Sequence, residues 1–201
     1  MPPARADLPH SAPRRRADAE RSIARILDAA VDALASDPKA SMAEVARRAG
    51  VVRATIYVHF PTREALIEAV THRAIAEATA IIEAAEPDRG DAAGALRRVV
   101  ESAWRTLGRY HALVAINARL APADLRRRHG PALAVLEPLI ERGQRDGAFR
   151  ANVPAAWHLS TILALIHAAS GEVGAGRLPS EQVESALVGS VLGAVSAAPP
   201  R

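Results

Sequence analysis

Apolar residues recur at helical spacing along almost the whole chain of 201 residues. The first stripe follows the i, i+3, i+4, i+7 pattern that is typical of one face of an amphipathic helix, and it comprises Ile23, Ile26, Leu27, Ala30, Val31 and Leu34. The stripe starts after residue 20 and stops at Asp37-Pro38, because the residue before a proline disfavours helical dihedral angles. The pattern therefore predicts a first helix between these two points.

Further helices follow with short breaks between them. Ser41 begins a short helix that ends at Gly50, a third covers about 53–59, and a long fourth helix reaches about Ala85. The later apolar stripes lie in residues 91–107, 110–120, 123–145, 154–170 and 180–196. We expect Gly130-Pro131 and Pro138 to kink or break the helix over 123–145. With about nine helices and no convincing strand, the sequence predicts an all-α fold.

Composition excludes several classes of protein. The chain has no cysteine, which excludes disulfides, thiolate metal sites and a cysteine nucleophile. No two histidines lie three or four residues apart, and neither a G-x-S-x-G elbow nor a P-loop occurs, so we expect no enzyme, no metal site and no cofactor. No apolar stretch approaches the ~20 residues of a membrane span, and no secretory signal is present. These features predict a cytoplasmic protein without a membrane partner.

The basic charge is confined to the first third of the chain. Residues 1–63 carry 11 Lys and Arg against 7 Asp and Glu, a net charge of +4, whereas residues 64–201 carry 15 of each. A local basic excess indicates a polyanionic partner. Residues 1–19 contain four prolines and no apolar periodicity, which predicts a disordered basic arm. This arm is either a solvated tail or a segment that follows nucleic-acid phosphates. Residues 20–65 then form one predicted domain and residues 66–197 a larger helical body.

Residues 41–60 have the layout of a helix-turn-helix. Ser41 and Glu44 show the S-x-x-E spacing of a capping box, and Gly50 stands at the turn, where glycine adopts the left-handed conformation at least cost. In this motif the second helix enters the major groove of DNA and the first crosses the backbone. A buried helical hairpin with a glycine turn is the alternative interpretation of the same pattern.

The residues that follow make the pattern more specific. Ser41–Leu66 fits the sequence T-x-x-x-[IV]-A-x-x-A-G-V-[ST]-x-x-x-[LIF]-Y-x-[HY]-F-x-[ST]-[KR]-E-x-L almost without gaps and resembles the tetracycline-repressor (TetR/AcrR) family. One position departs from it, because Val52 stands where the family usually has Ser or Thr. A valine cannot cap the following helix, and the loss of such a cap typically costs ~1 kcal/mol.

The resemblance implies a set of DNA-binding residues. Arg53 matches the exposed start of the recognition helix and could pair with guanine, whereas Ala43 offers only van der Waals contact. Ser41, Tyr57, His59 and Arg63 match positions that contact phosphates. The full implied set is Ser41, Ala43, Val52, Arg53, Ala54, Thr55, Tyr57, His59 and Arg63.

The resemblance also implies that the helical body senses a ligand and forms a homodimer. We expect the last two helices to pair with their twins through Leu159, Ile162, Leu163, Ile166, Val183, Leu187, Val191 and Val195; burial within one chain is the alternative. Polar and aromatic residues on apolar helices are candidates for contact with an unknown small-molecule effector. They are Trp104, Tyr110, His111, Asn117, Trp157, His158 and His167.

The function expected from these features is a transcriptional regulator. It would be a ligand-relieved repressor that binds a palindromic double-stranded DNA operator as a homodimer. The alternatives are a transcriptional activator and a helical protein-binding adaptor with the same fold. An adaptor would be favoured if Arg53, Tyr57 and Arg63 packed inside the protein instead of facing solvent.

Overall fold

The structure, a computed structural model, describes residues 11–117 and 120–197. These residues form no β-strand and contain ten α-helices together with a 3-10 turn at Gly108–Tyr110. The helices are α1 (Ser11–Ser36), α2 (Met42–Arg48), α3 (Arg53–His59), α4 (Arg63–Ala84), α5 (Ala92–Leu107), α6 (His111–Asn117), α7 (Pro122–Arg128), α8 (Gly130–Arg145), α9 (Ala155–Gly174) and α10 (Ser180–Val195). Among them, none combines the length and apolarity that a membrane span requires.

The chain divides into two compact units, Met1–Ile67 and Glu68–Arg201. In the first unit, α1 packs on α2 and α2 packs on α3. The apolar stripe of α1 is buried from Ile26 to Leu34, and Val45 and Ile56 are buried on the helices that follow. Ala46 and Ala49 are also buried, which lets the helices approach closely because neither side chain extends beyond Cβ.

Helix α1 begins earlier than its apolar stripe indicates. It starts at Ser11, so the prediction of a disordered arm is wrong for residues 11–19, while residues 1–10 lie outside the described part of the chain. Two side-chain pairs support these turns: Arg16 Nε lies 3.3 Å from Glu20 Oε1, and Arg21 pairs with Asp18. Pro13 falls in the first turn, where its missing N–H would have no helical partner in any case.

The second unit is built around a core from α5, α8, α9 and α10. Helix α10 packs against α9 and α5, and α8 packs against both α5 and α9. The core includes Leu96, Ile140, Leu159 and Val191. The Phe149 ring lies against Gly143, where an added Cβ would stand only 2.1 Å from Phe149 Cδ2. This contact requires glycine in the last turns of α8.

The segment over 123–145 forms two helices. Helix α7 ends at Arg128 and α8 begins at Gly130, which confirms the expected break at Gly130-Pro131. Helix α8 then continues through Pro138. Pro138 and Ala134, whose carbonyl loses its helical partner, are both on the exposed face, so water can satisfy that carbonyl.

The predicted dimer residues lie inside a single chain. Leu159, Ile162, Leu163, Val183, Leu187, Val191 and Val195 are buried in the core, and Ile166 packs against it. The seven buried side chains are therefore corrected as dimer contacts, because their own chain encloses them, whereas Ile166 is only partly buried and its place in an interface stays a prediction. An apolar stripe looks the same in the sequence whether its partner is the same chain or a second copy.

Candidate nucleic-acid interface and ligand cavity

Helix α2 is capped by Ser41. Its Oγ accepts a hydrogen bond from the Glu44 backbone N–H at 3.2 Å, which confirms half of the capping box. The Glu44 carboxylate instead accepts hydrogen bonds from Arg47 and Arg48, and these bonds lower the pKa of Glu44 to about 2. Arg48 also donates to the Asp32 carbonyl at 3.1 Å, which ties α2 to α1.

The turn between α2 and α3 is a Schellman motif. Gly50 has φ of 65°, which confirms the expected left-handed glycine. The Val51 N–H donates to the Ala46 carbonyl at 3.0 Å, and the Gly50 N–H donates to the Arg47 carbonyl at 3.3 Å. These bonds satisfy the last carbonyls of α2 and set the direction in which α3 leaves the turn.

Helix α3 presents one exposed face. Arg53, Ala54, Tyr57 and Val58 are exposed along it, and Ile56 is fully buried behind them. The spacing of Arg53 to Tyr57 and of Ala54 to Val58 is four residues, so each pair shares one side of the helix. The Arg53 guanidinium carbon lies 5.6 Å from the Tyr57 ring centroid, within the distance of a cation–π interaction.

Two valines flank this face. Val52 is the N-cap residue of α3, makes no side-chain capping hydrogen bond and is 70% exposed. Val58 is 79% exposed and was missed by the sequence analysis. Its position one turn after Ala54 is the signal that could have found it. Exposed apolar side chains on a helix face that meets the major groove suit contact with thymine methyl groups.

The remaining predicted DNA residues differ in their surroundings. Ser41 and Ala43 are exposed and Thr55 is half-buried. His59 is half-buried with its ring centroid 6.4 Å from that of Phe60. All of these residues belong to the same unit as α3. Ser41 is the N-cap of α2, and Ala43 lies in the first turn of that helix.

Arg63 holds the α1–α2 connection. Its Nε donates to the Ala40 carbonyl at 3.1 Å, and one terminal nitrogen donates to the Pro38 carbonyl at 2.6 Å. Nε and one terminal nitrogen of Arg63 are therefore engaged within the unit, and the phosphate contact stays a prediction for its other terminal nitrogen. The carbonyls of residues 38 and 40 lie beyond the end of α1 and have no helical partner there.

The second unit encloses an apolar cavity of about 90 Å³. Its wall comes from α4, α5, α6, α8 and α9 together with the 3-10 turn, and no charged side chain lines it among the described residues. The polar side chains in the wall are Thr71, Tyr110, Asn117, His129 and His167. No group of three or more residues that could hold a metal ion occurs in the ranges that the structure describes.

Most of these polar groups are hydrogen-bonded. The Asn117 side-chain N–H donates to Thr71 Oγ1 at 3.2 Å, and the Tyr110 hydroxyl donates to Glu77 Oε2 at 2.7 Å. The pKa of Tyr110 is raised by burial and by its bond to Glu77. His129 Nδ1 lies 2.9 Å from the Leu125 carbonyl oxygen.

Three buried or half-buried histidines of this unit, His111, His129 and His167, favour the neutral form. Burial lowers the pKa of His111 and of His129. Burial, together with the neighbouring His129, lowers the pKa of His167 to about 4. Because these rings are withdrawn from water and have no opposite charge nearby, their charged form is disfavoured.

The structure separates the predicted ligand residues into two groups. Tyr110, Asn117 and His167 line the cavity, and so do Thr71 and His129, which the sequence analysis missed. His129 follows a run of three arginines, so no apolar pattern singled it out.

The other predicted ligand residues lie outside the wall, so their assignment to the cavity is corrected. Trp104 donates to the Ser180 carbonyl at 3.3 Å, and the His111 ring packs against it with centroids 5.1 Å apart. His158 is fully buried with Nε2 at 2.9 Å from the Arg150 carbonyl oxygen. Trp157 is 58% exposed on α9.

Comparisons with known proteins agree with this arrangement. The family model of bacterial regulatory proteins of the tetR family matches residues 26–70. The HTH-type transcriptional repressor LfrR of Mycolicibacterium smegmatis is 31% identical over 185 residues, which span 90% of this chain and 93% of LfrR. The chain belongs to the TetR family. Proteins of the TetR family are transcriptional regulators and not enzymes, so the chain is a DNA-binding transcriptional regulator.

Further relatives extend the likeness to the whole fold. The HTH-type transcriptional regulator NfxB of Pseudomonas aeruginosa is 26% identical over 149 residues, covering 71% of this chain and 78% of NfxB. The crystal structure of LfrR from Mycobacterium smegmatis in complex with proflavine superposes with a TM-score of 0.68 and 29% identity, covering 86% of this chain and 94% of that one. The fatty acid degradation regulator FadR of Bacillus halodurans shares the TetR-type fold at 18% identity, with a TM-score of 0.69 and coverage of 84% and 97%.

Proposed function

We propose that this TetR-family regulator is a ligand-relieved repressor that binds a palindromic operator as a homodimer. The observation that carries the proposal is the exposed face of α3, where Arg53 and Tyr57 point away from the buried Ile56. Of the three side chains that distinguish DNA binding from a protein-binding adaptor, Arg53 and Tyr57 are exposed and Arg63 is half-buried, so the adaptor has less support. The similarity to LfrR, which is a repressor, favours repression over activation. The protein would act in the cytoplasm, where bacterial DNA is located.

In this proposal α3 lies in the major groove. Arg53 would donate to a guanine edge, and Ala54, Val52 and Val58 would contact thymine methyl groups. Ser41 retains its hydroxyl hydrogen for a phosphate oxygen, because the bond to Glu44 uses Oγ as the acceptor. Tyr57 and His59 supply the other phosphate contacts.

Arg63 acts indirectly in the same proposal. Its bonds to the Pro38 and Ala40 carbonyls fix the connection that leads into the N-cap of α2. Arg63 therefore positions Ser41 without contacting DNA through those donors.

The dimer would form through the exposed faces of α9 and α10. These faces carry small side chains at helical spacing, namely Ser160, Ala164 and Ala168 on α9 and Ala186, Gly189, Ser190 and Gly193 on α10, all exposed. Small residues allow two helix pairs to approach closely, and the exposed Trp157 offers a large apolar contact at one end of α9. A two-fold dimer would present two copies of α3 to successive major-groove faces.

The effector would enter the apolar cavity of the second unit. LfrR has been crystallised in complex with proflavine, and pockets for drug-sized ligands measure roughly 300–1,000 Å³. The cavity here is about 90 Å³, so a ligand of that size requires its helices to separate. Helix α4 carries Thr71 and Ala74 in the cavity wall and begins at Arg63, which links effector binding to the first unit through one continuous helix.

Footprinting tests the proposal on the intergenic DNA upstream of the protein's own gene. We expect two symmetric protected half-sites whose centres lie about 34–36 Å apart or a multiple of this distance. Titration to saturation should give two chains for each pair of half-sites. Protection of a single half-site by one chain would contradict the dimer, and no protection would contradict operator binding.

A further inference from the structure

Two imidazole rings lie side by side in the wall of the cavity. His129 follows the last residue of α7 and His167 lies on α9, and their rings pack edge to face with centroids 5.2 Å apart. Two other polar groups of the described wall each make one hydrogen bond, from Asn117 to Thr71 and from Tyr110 to Glu77. The histidine pair adds a ring nitrogen, His167 Nδ1, that is buried without a hydrogen-bond partner among the described residues.

The hydrogen bond of His129 fixes its tautomer. A carbonyl oxygen only accepts, so the contact with Leu125 at 2.9 Å places the hydrogen on His129 Nδ1. The Nε2 atom of the neutral ring is then a lone-pair acceptor. His167 Nδ1 is buried and has no hydrogen-bond partner in the part of the chain that the structure describes.

The chemistry of the wall limits what such a pair can hold. No Asp, Glu, Lys or Arg lines the cavity among the described residues, so a permanently charged ligand would lose its hydration without gaining an opposite charge. A neutral imidazole with a lone pair needs a donor, and a bound ligand without one leaves that nitrogen unsatisfied.

We propose that His129 and His167 form the polar anchor of the effector site and select a neutral apolar compound that carries a hydroxyl or amino donor. The inference rests on the ligand-relieved function proposed above and names the chemical class that this cavity takes. The aliphatic wall, including Ile75, Leu133 and Ile162, buries the apolar part of the ligand, while the histidine pair accepts the hydrogen bond.

Three single-ring compounds of similar size show whether the affinity depends on a hydrogen-bond donor or on the ring alone. Phenol donates a hydrogen bond, anisole only accepts one, and toluene does neither. Isothermal titration calorimetry on the full-length protein should give phenol about fivefold tighter binding than toluene or anisole, the effect of one hydrogen bond. Equal affinities for phenol and toluene would overturn the proposal, as would no detectable binding of phenol up to its solubility limit.

Substitutions then assign the preference to the histidines. His129→Phe and His167→Phe keep an aromatic ring but remove its nitrogens, so phenol affinity should fall to the level of toluene while toluene binding stays unchanged. His111→Phe is the matched control, since His111 is buried outside the cavity wall with both ring nitrogens unpartnered. An equal loss of phenol and toluene binding in the cavity variants would overturn the anchor role.

An NMR measurement on the wild-type protein avoids any folding defect of the variants. The ¹⁵N resonance of His129 Nε2 should move upfield when phenol donates to its lone pair and remain in place with toluene. An unchanged resonance at saturating phenol would overturn the proposal. If the resonance moves with pH but does not respond to phenol, the histidine pair is a proton sensor and not a ligand anchor.

A measurement of operator release distinguishes a failure of this inference from a failure of the proposed function. If phenol binds through the histidines and the operator stays bound, the anchor stands and ligand relief by this class fails. If an effector without a donor releases the operator while phenol shows no preference over toluene, ligand relief stands and the anchor fails.

Discussion

The Arg53 guanidinium carbon lies 5.6 Å from the centroid of the Tyr57 ring, one turn further along the exposed face of α3. At an exposed site this attraction is about 0.5–1 kcal/mol, which is enough to favour one arrangement of a long side chain. Tyr57 therefore acts on DNA recognition in two ways. Its hydroxyl is available to a phosphate, and its ring restricts where the Arg53 side chain can reach.

Tyr57 variants separate these two roles. Tyr57→Phe keeps the ring and should weaken binding to operator and random DNA alike, because phosphate contacts carry no sequence information. Tyr57→Leu also loses the ring, so we expect a further loss of about 0.5–1 kcal/mol confined to operator binding. Fluorescence anisotropy with both duplexes measures the two losses. Identical behaviour of the two variants would show that the ring does not position Arg53.

Local features of the first unit could be predicted from the sequence because each depends on a few neighbouring residues. Gly50 is at a left-handed turn since the chain there needs a residue without Cβ, and Val52 lacks a cap bond since its side chain has no acceptor. The helices themselves follow the apolar period. The whole prediction of an all-α fold rests on such short-range patterns, together with the TetR/AcrR motif.

Features that depend on distant residues could not be predicted in this way. The apolar stripe of Leu159 and Ile162 has the same spacing whether it faces its own core or a second chain. The Arg63 guanidinium binds the Pro38 and Ala40 carbonyls because the loop brings them within reach, which no local pattern reveals. His129 lines the cavity because it is the C-cap of α7, and the position of that helix end depends on how the helices pack.

Restoring a cap at position 52 should stabilise the first unit. Val52 already has the extended φ of −72° and ψ of 149° that an N-cap residue adopts, so Val52→Ser needs no backbone change. We expect an increase of ~1 kcal/mol in the free energy of unfolding. Urea denaturation measures it, and Val52→Ala is the control that removes the same methyl groups without adding an oxygen. Equal stability of the serine and alanine variants would contradict the expectation.

A large charged side chain on the exposed face of α10 should dissociate the proposed dimer. Gly189 is exposed in the middle of α10, and an added Cβ there meets nothing within 4 Å beyond its chain neighbours and the backbone of its own helix. Gly189→Arg should therefore leave the fold intact and shift the mass measured by light scattering from two chains to one. Ala84→Arg, at an exposed position near the end of α4, is the matched control and should remain dimeric. A dimeric Gly189→Arg variant would place the interface elsewhere.

Stability should fall on acidification because His167 is neutral in the folded protein. Its pKa is lowered by burial and by His129, from 6.5 to about 4. Between these values the unfolded chain binds more protons than the folded one, so stability is complete above about pH 6.5 and is lost as the pH falls towards about 4.

Urea denaturation from pH 7 to pH 4 should therefore show a smaller loss of stability in His167→Phe than in the wild type. His129 faces the same ring and its pKa is lowered as well, so the residual loss in the variant should include its contribution. His72→Phe, at an exposed position of α4, should follow the wild type. Parallel curves for wild type and His167→Phe would refute the assignment.

The decisive measurement compares the affinity of the full-length protein for its own upstream intergenic DNA with that for a scrambled duplex of equal length. At ~150 mM salt, where long-range charge attraction is largely screened, we expect a preference of at least ~10³-fold. Arg53→Ala should reduce that preference by about 1–3 kcal/mol and leave binding to the scrambled duplex nearly unchanged. Equal affinity of the wild-type protein for the two duplexes would contradict sequence-specific recognition by α3.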